Sequence, residues 1–241
     1  MRLLLLKTGA SFDQVIAEQG DFEQLFAAGL VGSDVELVVW DARSDQPLPV
    51  LDDIQGVLIT GSHAMVTDRE PWSERLQPWL RQLAEQRMPL LGVCYGHQLL
   101  AQALGGEAGN HPRGPEVGTV EIRLTEAGRQ DPLFAGLPER FPVHVTHTQS
   151  ALQLPPGAEV LARNDYEPYQ AFRLGDSVWG VQFHPEFNAA VTRVYLAQQA
   201  ERLAELGQDP DGLQAQVTET AHSGSLLGRF AELCRQRAHA L

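Results

Sequence analysis

Short apolar runs alternate with helical spacings over the first hundred residues, and that alternation narrows the fold more than anything else in the chain. Residues 3–6 (LLLL), 35–40 (VELVVW) and 56–60 (GVLIT) read as strands, the last stopped by Gly61-Ser62. Residues 22–30 read as part of a helix. Residues 72–86 have helical spacing, with Trp72, Leu76, Trp79, Leu80 and Leu83 on one side. Pro78 lies inside that run, where a kink is expected. Residues 89–93 form the next strand and 97–104 the next helix, closed by Gly105-Gly106. Repeated units of this kind predict an α/β fold, a mostly parallel central sheet flanked by helices.

The middle of the chain changes character. Residues 117–125, 141–146 and 158–163 are strand-like, and 169–183 read as two strands joined at Gly175-Asp176, a hairpin signal. Antiparallel strands added to the parallel sheet follow from this. From Asn188 the pattern is helical to the end, broken near Gly207-Gln208-Asp209-Pro210. A tail that short cannot bury its own core. The expected organisation is one domain over 1–206, with 207–241 a helical appendage packed on it.

Charge and composition narrow the function. The 241 residues carry a formal net charge of −13, which argues against binding a phosphate backbone, so no nucleic-acid partner is expected. The leucine run near the start is shorter than a signal-peptide core, and no stretch approaches the roughly 20 apolar residues of a membrane span. Two cysteines far apart make no disulfide framework, which suits a reducing cytoplasm.

One of those cysteines, Cys94, sits between Gly92 and Gly96, where a strand turns into a helix. A thiol needs help to react at neutral pH, and a tight strand-to-helix turn supplies it. The sulfur stands at the positive end of the following helix, and the Tyr95 N–H is free to hold an oxyanion. A partner base is expected from His184, which follows a strand and precedes Pro185-Glu186. Glu186 is placed to accept the imidazole N–H. At Thr60-Gly61-Ser62 a third strand ends, offering the Gly61 N–H at the edge where open α/β sheets bind ligands.

Together GVCYGHQLLAQALGG (92–106), GVQFHPEF (180–187) and LITGS (58–62) resemble the signatures of the class I glutamine amidotransferases. CYGHQ is similar to the GMP synthase-like branch, including its free-standing members. The resemblance implies the flavodoxin-like class I glutaminase fold and a cysteine-dependent reaction. Cys94 would form a γ-glutamyl thioester, with His184 and Glu186 completing a triad and Gly61 and Tyr95 the oxyanion hole. Gln98 would bind substrate, with His147, Thr148 and Gln149 as the loop that meets the amino-acid end of glutamine. That loop departs from the family's His-Gly-Asp, because Gln149 carries no charge. No cofactor or metal is implied.

Only about fifty residues follow Glu186, so a fused synthetase domain is not expected, and a separate ammonia-accepting synthetase subunit is the implied partner. A γ-glutamyl peptidase with the same triad is the alternative enzyme, with 62–68 and 110–116 as walls of a wider cleft. A binding or regulatory module on the same fold is the alternative outside catalysis. His144 and His147, three apart in a strand, point to opposite faces and are not expected to share a metal. His63 and His97 lie near the site, where either could line the pocket, but loop and helix-surface roles are expected for them, and a packing role for residues 223–236.

Overall fold

The computed structural model describes residues 1–239. Its first half lays down four strands, β1 (Arg2–Lys7), β2 (Glu36–Asp41), β3 (Gly56–Ile59) and β4 (Leu90–Val93). Between them run α1 (Asp13–Gln19), α2 (Phe22–Gly29) and α3 (Pro71–Glu85), and α4 (Tyr95–Ala103) follows β4. The second half contributes β5 (Glu107–Asn110), β6 (Glu116–Leu124), α5 (Glu126–Gln130), β7 (Arg140–His147), β8 (Gln149–Gln153), β9 (Glu159–Arg163), β10 (Ala171–Leu174) and β11 (Val178–Val181). Helices α6 (Ala189–Glu205), α7 (Pro210–Ala215), α8 (Ala221–Gly224) and α9 (Leu226–His239) close the chain.

Nine strands join in one sheet, in the order β2-β1-β3-β4-β11-β10-β9-β6-β7. The five from β2 to β11 are parallel, and β10, β9, β6 and β7 extend the sheet antiparallel. The expected α/β fold with added antiparallel strands is present. The four leucines of β1 explain themselves here. Leu3 and Leu5 face one layer with Phe22, Phe26 and Phe230, while Leu4 and Leu6 face the other with Leu76, Leu80 and Leu100. A parallel strand covered by helices on both sides needs apolar residues at every position, and each buried leucine contributes roughly 1.5–3 kcal/mol. Helix α3 runs unbroken through Pro78.

The end of the chain belongs to the first layer. Leu226, Leu227, Phe230, Ala231 and Cys234 of α9 are fully buried in the same cluster as β1. The Cys234 sulfur lies where a Cβ on Gly56 would come within 2.5 Å, so this thiol fills space beneath β3. Burial pushes its pKa up to about 12, which keeps it protonated and inert.

Two local features escape the sequence pattern. Strands β5 and β8 pair in a separate two-stranded ribbon whose sequences, EAGN and QSALQ, show no alternation. Helix α1 is short, buries only Val15 and has no side-chain N-cap.

Candidate active site

Three adjacent parallel strands end at one edge of the sheet and each delivers one part of the site. β3 leads into Thr60-Gly61, β4 into Cys94 and β11, three residues on, into His184. Brought out at the carboxyl edge, these groups face the crevice where α/β sheets bind ligands.

The turn at Cys94 is strained and tightly packed. Its backbone sits at φ 51°, ψ −100°, outside the regions that L residues favour. A Cβ at Gly92 would lie 2.4 Å from the Gly96 carbonyl oxygen, and one at Gly96 would lie 2.7 Å from the Ile59 carbonyl oxygen. Only glycine at both positions lets α4 approach β3 and β4 this closely. The Cys94 N–H donates to Val181 O at 2.9 Å, and its Sγ–H points at Thr146 O at 3.7 Å.

Across from it, His184 is 2 % exposed. Its Nδ1–H donates to Glu186 Oε1 at 2.7 Å, and the ring stacks on Phe187 with centroids 4.1 Å apart. Nε2 has no hydrogen-bond partner among the described residues. Burial by itself lowers the imidazole pKa, but the charges of Glu186 and Cys94 and the Glu186 hydrogen bond override it and raise it to about 10. A value that high keeps the His184 ring protonated at neutral pH, facing the sulfur.

Gly61 lies between them. A Cβ there would come 3.0 Å from His184 Cε1 and 3.7 Å from Cys94 Cβ. Its carbonyl is held away from the site by Thr8 Oγ1 (3.0 Å) and Thr60 Oγ1 (2.9 Å). The Gly96 N–H donates to Thr60 O at 3.2 Å, tying this loop to the turn. Tyr95, the first residue of α4, has an N–H with no acceptor inside its own helix. The Tyr95 ring is buried away from the site, bonded to Ser73 Oγ at 2.6 Å. The Tyr95 N–H is therefore left over at the turn that carries the sulfur, with Gly61 packed beside it.

A cavity of about 170 Å³ opens beside the sulfur, and Gln98, His147, Thr148 and Gln149 all line it. The Gln98 NH₂ donates to Gln149 O at 2.6 Å and to Gln182 Oε1 at 3.0 Å, leaving its carbonyl oxygen as the group that can accept from a ligand. His147 is locked from behind: both ring nitrogens face oxygen, Nδ1 at Gln149 O and Nε2 at Glu116 Oε2, each 3.0 Å away. Glu116 also accepts from Asn164 Nδ2 at 2.6 Å and Gln170 Nε2 at 2.9 Å. Gln149 turns its amide outward from the sulfur, to Thr67 Oγ1 (2.6 Å) and Asn110 Oδ1 (3.0 Å).

Sequence reasoning missed the bracing roles of Thr8, Glu116, Asn164, Gln170 and Gln182, none of which lines the cavity. Their only signal is a polar residue beside an apolar run, as in PEVG around Glu116. Of the two expected walls, residues 62–65 do line the cavity, while 110–116 stand behind it and brace Gln149 and His147 through Asn110 and Glu116. His63 is no bystander, since it lines the cavity and stacks on Tyr195. His97 is not on a helix surface but fully buried, packed on Phe172.

Burial drives the pKa of His97 down to about 3 and that of His144 to about 4. Above about pH 6.5 both are neutral folded or unfolded and contribute nothing to pH dependence. As pH falls from 6.5 towards 4, the unfolded chain takes up two protons that the folded one refuses. Each refusal costs about 1.4 kcal/mol per pH unit, so stability should fall by about 2–3 kcal/mol per unit. The raised His184 has the opposite sign, its contribution being lost as pH rises from 6.5 towards 10. Urea midpoints at pH 7, 6, 5 and 4 check this, and a flat profile from 6 to 4 would rule it out.

The sequence model of the family described as glutamine amidotransferase class-I matches residues 16–201. A GMP synthase from Thermomicrobium roseum is 39 % identical over 183 residues, covering 74 % of this chain and 32 % of that protein. A glutamine-hydrolyzing GMP synthase subunit from Pyrococcus abyssi is 32 % identical over 151 residues, covering 62 % of each chain. The chain thus spans about a third of the first synthase and under two thirds of the second protein. Among solved structures, a glutamine amido transferase from Methylobacillus flagellatus superposes with a TM-score of 0.74 at 25 % identity, covering 99 % of this chain and 94 % of the other.

Proposed function

Because the chain belongs to the class I glutamine amidotransferase family, we propose that it hydrolyses the γ-amide of glutamine through Cys94 to give glutamate and ammonia. The observation that carries this reading is the juxtaposition at one sheet edge. A strained cysteine, a buried histidine held by Glu186 and the first residue of α4 line one small cavity, with Gly61 packed against the cysteine and the histidine.

The geometry supports the following steps. Cys94 Sγ, as thiolate, attacks the side-chain carbonyl carbon of glutamine, and the resulting oxyanion takes the N–H groups of Tyr95 and Gly61. The His184 imidazolium gives its Nε2 proton to the departing nitrogen, the C–N bond breaks and ammonia leaves a γ-glutamyl thioester. His184, now neutral, draws a proton from a water, which attacks the thioester. Collapse of the second tetrahedral species releases glutamate and restores the thiolate–imidazolium pair. Glu186 holds the ring orientation and its charge throughout. Gln98 Oε1 and the loop of His147, Thr148 and Gln149 receive the amino-acid end.

The Pyrococcus abyssi relative is by its name one subunit of a GMP synthase, which supports a separate synthetase partner that accepts the ammonia. Two free buried cysteines suit a reducing cytoplasm, and among the described residues no helix is long and apolar enough to cross a membrane.

Purified protein assayed for glutamate release from glutamine and from γ-glutamyl dipeptides tests the reading. Glutamine should be the better substrate by kcat/KM, because the cavity is below the roughly 300–1,000 Å³ that holds larger ligands. Dipeptides outperforming glutamine tenfold would move the assignment to a γ-glutamyl peptidase, and no release from either would end the catalytic reading.

A further inference from the structure

We infer that Arg202 holds the α-carboxylate of the substrate and that the pocket offers no counter-charge to the α-ammonium, so that ω-amides of simple dicarboxylic acids lacking the amine are also substrates. The inference rests on the catalytic reading above and names the substrate class of the same site.

Helix α6 presents one face to the cavity. Tyr195, Gln199 and Arg202 stand at four- and three-residue steps along it, and all three line the pocket. Gln199 fixes the position of this face. Its Nε2 donates to Thr146 Oγ1 at 3.0 Å and to Tyr195 O at 3.1 Å. Thr146 is the residue whose carbonyl oxygen faces the Cys94 thiol. The helix turn that carries Arg202 is therefore anchored on the same residue, Thr146, that the Cys94 thiol contacts.

The charges around the cavity are one-sided. No aspartate or glutamate lines it among the described residues, and Arg202 is the lining residue with a permanent charge. Its guanidinium makes no ion pair among the described residues, including with Glu205 one turn further on α6. The nearby carboxylates are engaged elsewhere: Glu186 by His184, Glu116 by His147, and Asp21 by Lys7 at 2.7 Å. His63, opposite, has its pKa lowered by burial and by the charge of His184, and so adds no fixed charge. The charged lysines and arginines elsewhere mostly have acids beside them. Arg202 is exposed to solvent and lines the cavity with no acid beside it among the described residues.

Glutamine brings an α-carboxylate and an α-ammonium to that end of the pocket. A guanidinium recognises the carboxylate through paired charged hydrogen bonds. The ammonium meets neutral oxygens such as Gln98 Oε1, where Gln149 stands without charge. Charged groups left without a counter-charge gain little from binding, so deleting the amine should lose little, while deleting the carboxylate leaves Arg202 unmatched.

Three probes read this directly: glutamine, glutaramate (glutamine without its amine) and glutaminamide (glutamine with its carboxylate converted to an amide). Wild-type protein and Arg202→Gln and Arg202→Lys variants are compared by the product of γ-amide cleavage. Glutaramate should be cleaved with kcat/KM within about tenfold of glutamine, and glutaminamide at least about 100-fold more slowly. Arg202→Gln should raise KM for glutamine and glutaramate by about tenfold or more with kcat nearly constant, and lose at least tenfold less on glutaminamide. Arg202→Lys should recover part of the loss. Failure to cleave glutaramate while glutamine is cleaved, or an equal loss on all three probes, overturns the inference. Should wild-type protein cleave no glutamine, the catalytic reading falls first. Calorimetric binding of glutarate then decides, with binding weakened in Arg202→Gln supporting the carboxylate site and equal affinities removing it.

Discussion

Replacing Cys94 by alanine should lower kcat for glutamine by roughly four orders of magnitude or more, because no other group near the cavity can form the thioester. Replacing it by glycine should abolish activity equally and yet leave a more stable protein than the alanine variant. The reason is the backbone at φ 51°, ψ −100°. Alanine keeps the Cβ that makes this conformation unfavourable, and glycine removes it. Relief of about 1–3 kcal/mol, less the roughly 0.5–1 kcal/mol of extra chain entropy that glycine gives up on folding, leaves about 1 kcal/mol. For a chain of this length that is about 2–4 °C in Tm. Thermal melts of the two inactive variants read the difference with catalysis out of the comparison. Equal melting temperatures would mean that the turn stores no strain.

The second large effect lies two residues earlier. Gly92→Ala places a methyl 2.4 Å from the Gly96 carbonyl oxygen and 2.5 Å from the carbonyl carbon, both backbone atoms that no rotamer can move aside. Helix α4 would have to lift from β4, and its Leu99 and Leu100 are fully buried. A loss of about 3 kcal/mol or more is expected, with Tm lower by about 6–12 °C and activity lost with the turn. Gly32→Ala is the control. Its φ is positive, 84°, but nothing lies within 4 Å of an added Cβ, and the change should cost only about 1 kcal/mol. A Gly92→Ala protein melting within about 1 °C of the wild type would show that α4 is free to shift.

What could be read from the sequence was whatever depends on near neighbours in the chain. The turn around Cys94 is legible because strand, glycine, nucleophile, glycine and helix fall within a dozen residues. His184 and Glu186 are legible for the same reason, being two residues apart. The supports of these groups come from afar. Thr8 is 53 residues from Gly61, Glu116 is 31 from His147, and Gln98 is 84 from Gln182. No local periodicity marks them, since a polar residue that braces another looks like any polar residue near a strand end. Arg202 hides inside a charged stretch, AERLAE, that reads as an ordinary solvated helix face. The burial of His97 is hidden too, because helical spacing alone does not reveal that α4 is enclosed nearly all round, between β4, β11 and α3.

The strand order also has a consequence for synthesis on the ribosome. Strands β2, β1, β3 and β4 are complete once the first ninety-three residues have emerged, and Cys94 comes directly after them. The strand that pairs with the outer side of β4 is β11, which begins at Val178. At about 5–20 residues per second, several seconds separate the two. During that interval a nascent chain carries the reactive thiol without the histidine that activates it, beside an open apolar edge, LLGV. Pairing of β11 with β4 covers that edge and brings His184 to the end of the sheet that carries Cys94, so one late strand completes both.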